Sequence, residues 1–196
     1  VTPWEMIGAY SVFANGGYKI NPYFITRIVD TSGHDLARVD KLLAGDEANR
    51  VIDGRNAFIT DSLLRSVAKF GTAARITAVL KRGDLAGKTG TTNDSHDAWF
   101  AGYSNDNLAG IACIGLDQPK SLGDRETAGG LALPSWVGYM SKALKGLPEE
   151  PRPGTRGAVT VDAEVSYVGK LPGQGGPSVG TAEPVQSAAA RPAFPT

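Results

Sequence analysis

The sequence is poor in residues that bind metals or form cross-links. Its 196 residues include one cysteine, Cys113, and two histidines, His34 and His96. One cysteine excludes an intramolecular disulfide and a cysteine-cluster zinc site, and two histidines are too few for a histidine-rich metal centre. No apolar run approaches the roughly 18 residues of a membrane span. We find no signal-peptide pattern. Because the sequence begins at Val1 inside a helix-start pattern, we expect a piece of a longer protein, and missing targeting segments then say nothing about location.

Excess charge of one sign is also lacking. Twenty Lys and Arg residues balance twenty Asp and Glu residues, so the formal net charge is zero. A protein that binds a phosphate backbone normally carries a positive excess, so we expect no nucleic-acid partner. The hydrophobic fraction of 41% is high enough to bury a core.

Helix signals occur at both ends of the first 150 residues. Residues 2–5 (Thr-Pro-Trp-Glu) form a capping box with proline at the first helical position, and Asn15-Gly16-Gly17 ends that helix. A second helix is predicted over 56–70, and Pro134 opens a last one. We expect Thr72 to cap a short helix that runs through Ala78. The predicted inward side chains are Phe58, Leu63, Leu64 and Val67 in the second helix and Trp136, Val137, Met140 and Leu144 in the last.

Strand-like runs lie between these helices. The β-branched and aromatic residues of 18–20 and 24–29 predict two short strands. The runs 85–92, 98–103 and 108–116, with polar turns between them, predict an antiparallel meander. The chain is therefore expected to be α/β in the α+β sense, with an antiparallel sheet flanked by helices.

The composition changes near residue 150. Eight of the twelve prolines lie in residues 148–196. Residues 159–168 predict one or two further strands. Beyond Gly169 the chain has almost no bulky apolar residues to offset its ordering entropy, so we predict disorder there.

One tetrapeptide, Lys88-Thr89-Gly90-Thr91, carries chemical information. On a strand, Lys88 supplies a fixed cation that can attract a carboxylate or lower the pKa of a hydroxyl. Thr89 and Thr91 share a face, and Gly90 leaves room for another backbone, so a peptide could add as an extra strand. The Thr91 N–H could donate to an oxyanion. Taken alone, the tripeptide Lys-Thr-Gly is more typical of an exposed turn.

The longer pattern resembles a known family. Residues 85–94, followed by Asp-Ala-Trp-Phe-Ala-Gly-Tyr at 97–103, are similar to the third motif and next strand of class A penicillin-binding proteins, most closely the Gram-negative 1A type. The segments 1–18, 71–73 and 129–136 are similar to other parts of that transpeptidase domain. The resemblance covers residues 1 to about 150, and it is weak over 159–170.

This resemblance implies a partial serine penicillin-recognising fold, in which a five-stranded antiparallel sheet has helices on both sides. It implies that residues 1–150 are the C-terminal part of a transpeptidase domain and 151–196 an extension. The parent would be a bifunctional peptidoglycan synthase, anchored in the inner membrane by an N-terminal segment and acting on the periplasmic side. Its partners would be stem peptides, β-lactams and the missing half of the same domain, and it would need no cofactor or metal. Lys88 would be catalytic, and Thr89, Gly90 and Thr91 would bind substrate.

The sequence departs from the family where the nucleophile should be. The family needs Ser-x-x-Lys at the start of a helix and a Ser-x-Asn, and no Ser-x-Asn occurs. The only Ser-x-x-Lys, at 66–69, ends a predicted helix, so we interpret it as a chance match with Ser66 facing solvent. Tyr103-Ser104-Asn105 falls in a predicted turn. We therefore expect the nucleophile to lie outside this sequence and the chain alone to form no acyl-enzyme.

Several readings of the function stay open. A β-lactamase or soluble carboxypeptidase could use the same fold, and a non-catalytic peptidoglycan-binding module could keep the groove without the nucleophile. Ser95-His96-Asp97 contains the letters of a catalytic triad, but adjacent side chains cannot adopt triad geometry, so we assign it to a loop. We expect Cys113 to be buried and inert. Trp99 could line a cleft or pack in the core, and residues 125–127 could contact substrate.

Overall fold

The computed structural model describes residues 1–40, 42, 44–104, 108–123 and 126–149, and the backbone of two later strands. The four helices in this part are α1 (Pro3–Ala14), α2 (Gly54–Phe70), α3 (Arg75–Leu80) and α4 (Ala132–Ala143). The seven strands are β1 (Arg27–Val29), β2 (Asp35–Arg38), β3 (Leu85–Thr91), β4 (Asp97–Ser104), β5 (Leu108–Gly115), β6 (Ala158–Val161) and β7 (Glu164–Tyr167).

The main sheet is the predicted meander. Its strand order is β3-β4-β5, and both pairs are antiparallel. One face packs against α4, where the rings of Phe100 and Trp136 meet edge-on with centroids 5.0 Å apart. The other face packs against α1 through Ala14, Ala86 and Tyr103. Helices therefore lie on both sides of an antiparallel sheet, as the sequence predicts.

Glycines let α4 approach the sheet closely. Gly87, Gly102 and Gly110 are aligned across the three strands. A Cβ at Gly102 would lie 2.8 Å from the Phe100 ring and 3.1 Å from the Trp136 ring. The Trp136 Nε1–H donates to the Gly110 carbonyl at 3.0 Å. This glycine row is the reason why two large aromatic residues fit directly on the strands.

Helix α1 begins as predicted, and the segment after it differs from the prediction. The Thr2 and Glu5 side chains form the reciprocal capping box. Of the two strands expected at 18–20 and 24–29, only Arg27–Val29 is formed, and it pairs with β2, which the sequence did not predict. Tyr18 makes a single bridge to Arg50, whose guanidinium lies 4.2 Å from the Tyr18 ring centroid. These side-chain contacts hold the chain near 47–52 instead of in a sheet.

The predicted buried face of α2 is confirmed in part: Leu64 and Val67 pack against the core clusters, whereas Leu63 does not. Leu63 is 64% exposed, whereas the buried positions are Ala57, Asp61, Arg65 and Ala68. Asp61 and Arg65 form an ion pair at 2.8 Å, and the Tyr103 hydroxyl donates to Asp61 at 2.9 Å. A polar cluster thus shares the core-facing side of α2 with Leu64 and Val67, and the pattern of apolar residues alone does not predict it.

Helix α4 confirms its prediction, and two smaller predictions fail. Trp136, Val137, Met140 and Leu144 are buried. Thr72 does not cap α3, which begins after Ala74 without a side-chain cap. Cys113 is exposed: it lies on the face of the outer strand β5 that is opposite α4, and the β5 residue packed in the α1 cluster is Ala109, four residues away along the strand.

The C-terminal region contains the two strands expected within 159–168, at 158–161 and 164–167, paired antiparallel. The predicted disorder beyond Gly169 concerns residues outside the described ones. No helix in the described part of the chain is both long and apolar enough for a membrane span. Those same residues hold no group of three His, Cys, Asp or Glu side chains suited to a metal ion.

Candidate active site at the edge of strand β3

Strand β3 runs from the core to the surface. Leu85, Ala86 and Gly87 are buried, whereas Lys88, Gly90 and Thr91 are exposed. β3 is an edge strand of its sheet, with β4 on one side and no partner strand among the described residues on the other. The tetrapeptide therefore presents its backbone and side chains at an open sheet edge, and it is not an exposed turn.

The backbone direction at this edge follows from the neighbouring hydrogen bonds. The Thr92 N–H points inward and donates to the Asp97 carbonyl at 3.1 Å. Because backbone groups in an antiparallel strand alternate in direction, Thr89 and Thr91 direct their N–H and C=O groups toward the open edge. The Thr89 carbonyl fits this assignment, since it accepts from the Lys88 ammonium at 2.9 Å. The Thr91 N–H is thus available to an external acceptor.

Lys88 and the two threonines lie on opposite faces of the strand. In the register, Lys88 is opposite Ala101, and Thr89 is opposite Phe100. The Lys88 side chain nevertheless bends around the edge, because its Nζ also lies 3.3 Å from the Thr89 Oγ1. A cation and a hydroxyl therefore meet at one point of the open edge.

Two loops hold the hydroxyl groups of the strand. The Thr72 Oγ1 lies 2.8 Å from the Thr89 Oγ1. The Ala128 N–H donates to the Thr91 Oγ1 at 3.1 Å. Because that bond uses a lone pair of Thr91, the Thr91 hydroxyl proton is free to be donated elsewhere. The sequence analysis missed both contacts, although the segment 71–73 carried part of the family resemblance.

An open groove of about 370 Å³ lies beside the edge. Lys88 is the only charged side chain among the described residues that line it, so the groove favours an anionic or carboxylate-bearing ligand. Trp99 lies on the wall of this groove, so of the two positions considered for it the cleft is the one that the structure shows. Burial raises the pKa of the Tyr10 phenol, which therefore stays protonated there at neutral pH. The groove is lined by Val1, Met6, Tyr10, Lys88, Thr89, Gly90, Thr91, Thr92, Trp99 and Ala101.

The other candidate nucleophiles lie outside this groove. Ser66 is exposed on α2, and its hydroxyl donates to the Ser62 carbonyl at 3.0 Å. Ser95 belongs to a short 3-10 turn, and the Asp97 N–H is bonded to the Thr92 Oγ1 at 2.7 Å. Ser66 therefore occupies a surface position on a helix and Ser95 lies in a loop, as the sequence predicts. Arg125 and Asn105, named in the sequence analysis, lie outside the described residues.

The helix-flanked antiparallel sheet and the open edge of β3 can be compared with known protein families. Residues 1–139 match the family model described as penicillin binding protein transpeptidase domain. The chain belongs to the penicillin-binding protein transpeptidase family. The family resemblance seen in the sequence is thereby confirmed, and its 1A character is confirmed by the relatives that follow.

Its relatives are proteins named penicillin-binding protein 1A. The chain is 45% identical over 164 residues to that of Neisseria flavescens, covering 84% of this chain and 20% of the relative. It is 42% identical over 193 residues to that of Pseudomonas aeruginosa, covering 76% and 23%. The crystal structure of penicillin-binding protein 1A from Haemophilus influenzae matches with a TM-score of 0.75 and 33% identity, covering 90% of this chain and 31% of that one. The chain thus spans roughly a fifth of the length of these curated relatives.

Proposed function

We propose that this chain is part of a bifunctional peptidoglycan synthase, in which residues 1–150 complete a D,D-transpeptidase domain and 151–196 form an extension. The observation that carries the proposal is the open edge of β3. It presents an ammonium, two hydroxyls and an outward backbone N–H to one groove, within a chain that belongs to the transpeptidase family. This is the equipment for binding an extended peptide that ends in a carboxylate.

The reaction would be acyl transfer through a serine ester. The serine Oγ attacks the carbonyl of the D-Ala-D-Ala amide, its proton passes to the leaving amine, and terminal D-Ala departs. An amine of a second stem peptide then attacks the ester and releases the serine as the cross-link forms. A β-lactam acylates the same serine through its ring carbonyl, and no second amine resolves that ester.

Each residue of the edge has a role in this scheme. Lys88 supplies the positive charge for electrostatic stabilisation and proton relay. The Thr89 and Thr91 hydroxyls bind the substrate carboxylate, and Gly90, which has no side chain, lets the substrate backbone approach the strand. The Thr91 N–H is one donor to the oxyanion.

The serine would come from polypeptide outside this sequence. Support for this comes from Ser66, which belongs to the one Ser-x-x-Lys of the sequence and is exposed on α2 away from the groove. The chain also covers only 20% and 23% of the two relatives described above, which agrees with a serine outside this sequence. We further propose that the parent is anchored in the inner membrane with this domain in the periplasm, that it binds stem peptides and β-lactams, and that it uses neither a cofactor nor nucleic acid.

Fluorescent penicillin tests the proposal on two polypeptides. One is this chain alone, and the other is the longer protein, which contains this chain and the polypeptide on its N-terminal side. We expect covalent label on the longer protein only. Ser66→Ala, made in both, is the matched control and should change neither result. Label on the isolated chain that disappears with Ser66→Ala would overturn the proposal.

The same assay separates the alternatives. Label on the longer protein that is lost within seconds, with stoichiometric release of opened β-lactam, would indicate a β-lactamase. Reversible binding of stem peptide without any covalent label would indicate a binding module. Persistent label, together with cross-linking of supplied stem peptides, supports the synthase.

A further inference from the structure

The Thr72–Thr89 contact has a consequence for substrate binding, and the inference drawn from it rests on the proposed function. The Thr89 Oγ1 has two neighbours in the structure: the Thr72 Oγ1 at 2.8 Å and the Lys88 Nζ at 3.3 Å. The ammonium can only donate, so Thr89 accepts from Lys88. The direction of the bond between the two hydroxyls then decides whether Thr89 still has a proton to donate.

A hydroxyl has one proton and two lone pairs. If Thr89 donates to Thr72, its proton is used, and it cannot donate to a carboxylate. If Thr72 donates to Thr89, both lone pairs of Thr89 are occupied by Thr72 and Lys88, and its proton is free. When a carboxylate lies at the edge, only the second arrangement binds it. Thr72 must therefore be the donor in the complex.

We propose that Thr72 is a positioning residue, which donates to Thr89 and thereby directs the Thr89 proton to the substrate carboxylate. Thr72 does not touch the substrate in this arrangement. Donation from Thr72 and Lys88 into one oxygen also polarises the Thr89 O–H, which strengthens its bond to an anion.

The backbone of residues 71–73 keeps Thr72 in place for this role. The N–H groups of Gly71 and Ala73 both donate to the Val67 carbonyl, at 3.1 and 3.3 Å, which ties the turn to the last turn of α2. A Cβ at Gly71 would lie 2.9 Å from the Val67 Cα, so glycine is required for this close approach. Thr72 thus reaches β3 from a rigid helix end, 17 residues away in sequence.

The test uses the longer protein and two β-lactams that differ only in their carboxylate: a penicillin and its methyl ester. The measured quantity is the ratio of their acylation rate constants. In the unmodified protein the free acid should react much faster, because Thr89 and Thr91 bind its carboxylate. Thr72→Val should lower that ratio by about 5- to 10-fold, because it removes the hydrogen bond between Thr72 and the hydroxyl that binds the carboxylate. Thr72→Ser, which keeps the hydroxyl, should restore the ratio to within about two-fold.

Two further variants separate positioning from general damage. Thr77→Val is the matched control, since the Thr77 hydroxyl bonds the Ala68 carbonyl away from the groove, and it should leave the ratio unchanged. In a Thr89→Val background, Thr72→Val should have no additional effect, because Thr72 acts through Thr89. If Thr72→Val impairs folding, Thr72→Ala removes the hydroxyl without adding an apolar branch and should give the same fall.

The outcomes distinguish this inference from the proposed function. A strong preference for the free acid that survives in both Thr72→Val and Thr72→Ala overturns the inference and leaves the proposed function standing. A wild-type protein that is acylated without preferring the free acid overturns the carboxylate role of Thr89 and the inference together. No acylation of the longer protein overturns the proposed function, and the inference with it.

Discussion

The close contact of β3 with the aromatic core makes Gly87→Ala a demanding test of the fold. A Cβ at Gly87 would lie 2.5 Å from the Phe100 Cζ, 2.7 Å from the Ala101 carbonyl oxygen and 3.0 Å from the Gly102 Cα. Two of these three atoms are backbone and cannot rotate away. Phe100 is fully buried against Trp136, so its ring cannot turn away into solvent. Overpacking of this kind costs about 1–3 kcal/mol, and we expect the upper end here.

Thermal unfolding of the longer protein, followed by tryptophan fluorescence, measures this cost. We expect Gly87→Ala to lower the Tm of the transpeptidase unit by about 5 °C or more. Gly138→Ala is the matched control. Gly138 is exposed in α4 with no atom within 4 Å of a built Cβ, so alanine should leave the Tm unchanged or raise it slightly. An unchanged Tm for Gly87→Ala would show that β3 and β4 do not pack as described.

Two further predictions concern buried and ionisable groups. Asp61→Ala removes the carboxylate that pairs with buried Arg65 and should lower the free energy of unfolding by about 3–5 kcal/mol. Tyr103→Phe should lower it by about 1–3 kcal/mol. Denaturant unfolding measures both values, and an unchanged free energy of unfolding in Asp61→Ala would contradict the ion pair. Partial desolvation on the sheet, with a smaller effect of the Asp97 charge, raises the pKa of the Cys113 thiol. Alkylation of Cys113 at pH 8 should therefore be slower in the folded than in the unfolded chain, and it should become faster as the pH rises through that pKa. Asp97→Asn should accelerate alkylation of the folded chain. Equal alkylation rates in the folded and unfolded chains would contradict the raised pKa.

Local sequence patterns predicted the elements whose contacts are themselves local or regular. The meander followed from three apolar runs with turns between them, because antiparallel neighbours in sequence pair directly. The apolar stripe of α4 was correct because a helix that packs on a sheet buries one regular face. The capping box of α1 needed only four consecutive residues.

The errors arose where a distant polar partner decided the outcome. Asp61 and Arg65 are buried in α2 because Tyr103, 42 residues away, satisfies the carboxylate, and periodicity of apolar residues cannot show this. Thr72 has the sequence context of a helix cap, yet its partner is Thr89. The tetrapeptide at 88–91 was recognisable from its family pattern. Its hydroxyl contacts to the loops at 71–73 and 126–131 required the fold.

We propose that the ammonium at the open edge of β3 acts in acyl transfer and does not hold the fold together. This role is tested by comparing Lys88→Ala with Lys69→Ala in the longer protein, with the rate constant for penicillin acylation and the Tm measured for each variant. Lys69 is the exposed lysine at the end of α2 and serves as the control. We expect Lys88→Ala to slow acylation by at least about 100-fold with little change in Tm, and Lys69→Ala to change neither. Undiminished acylation of Lys88→Ala, or a loss of acylation that only follows unfolding, would show that Lys88 has no such role.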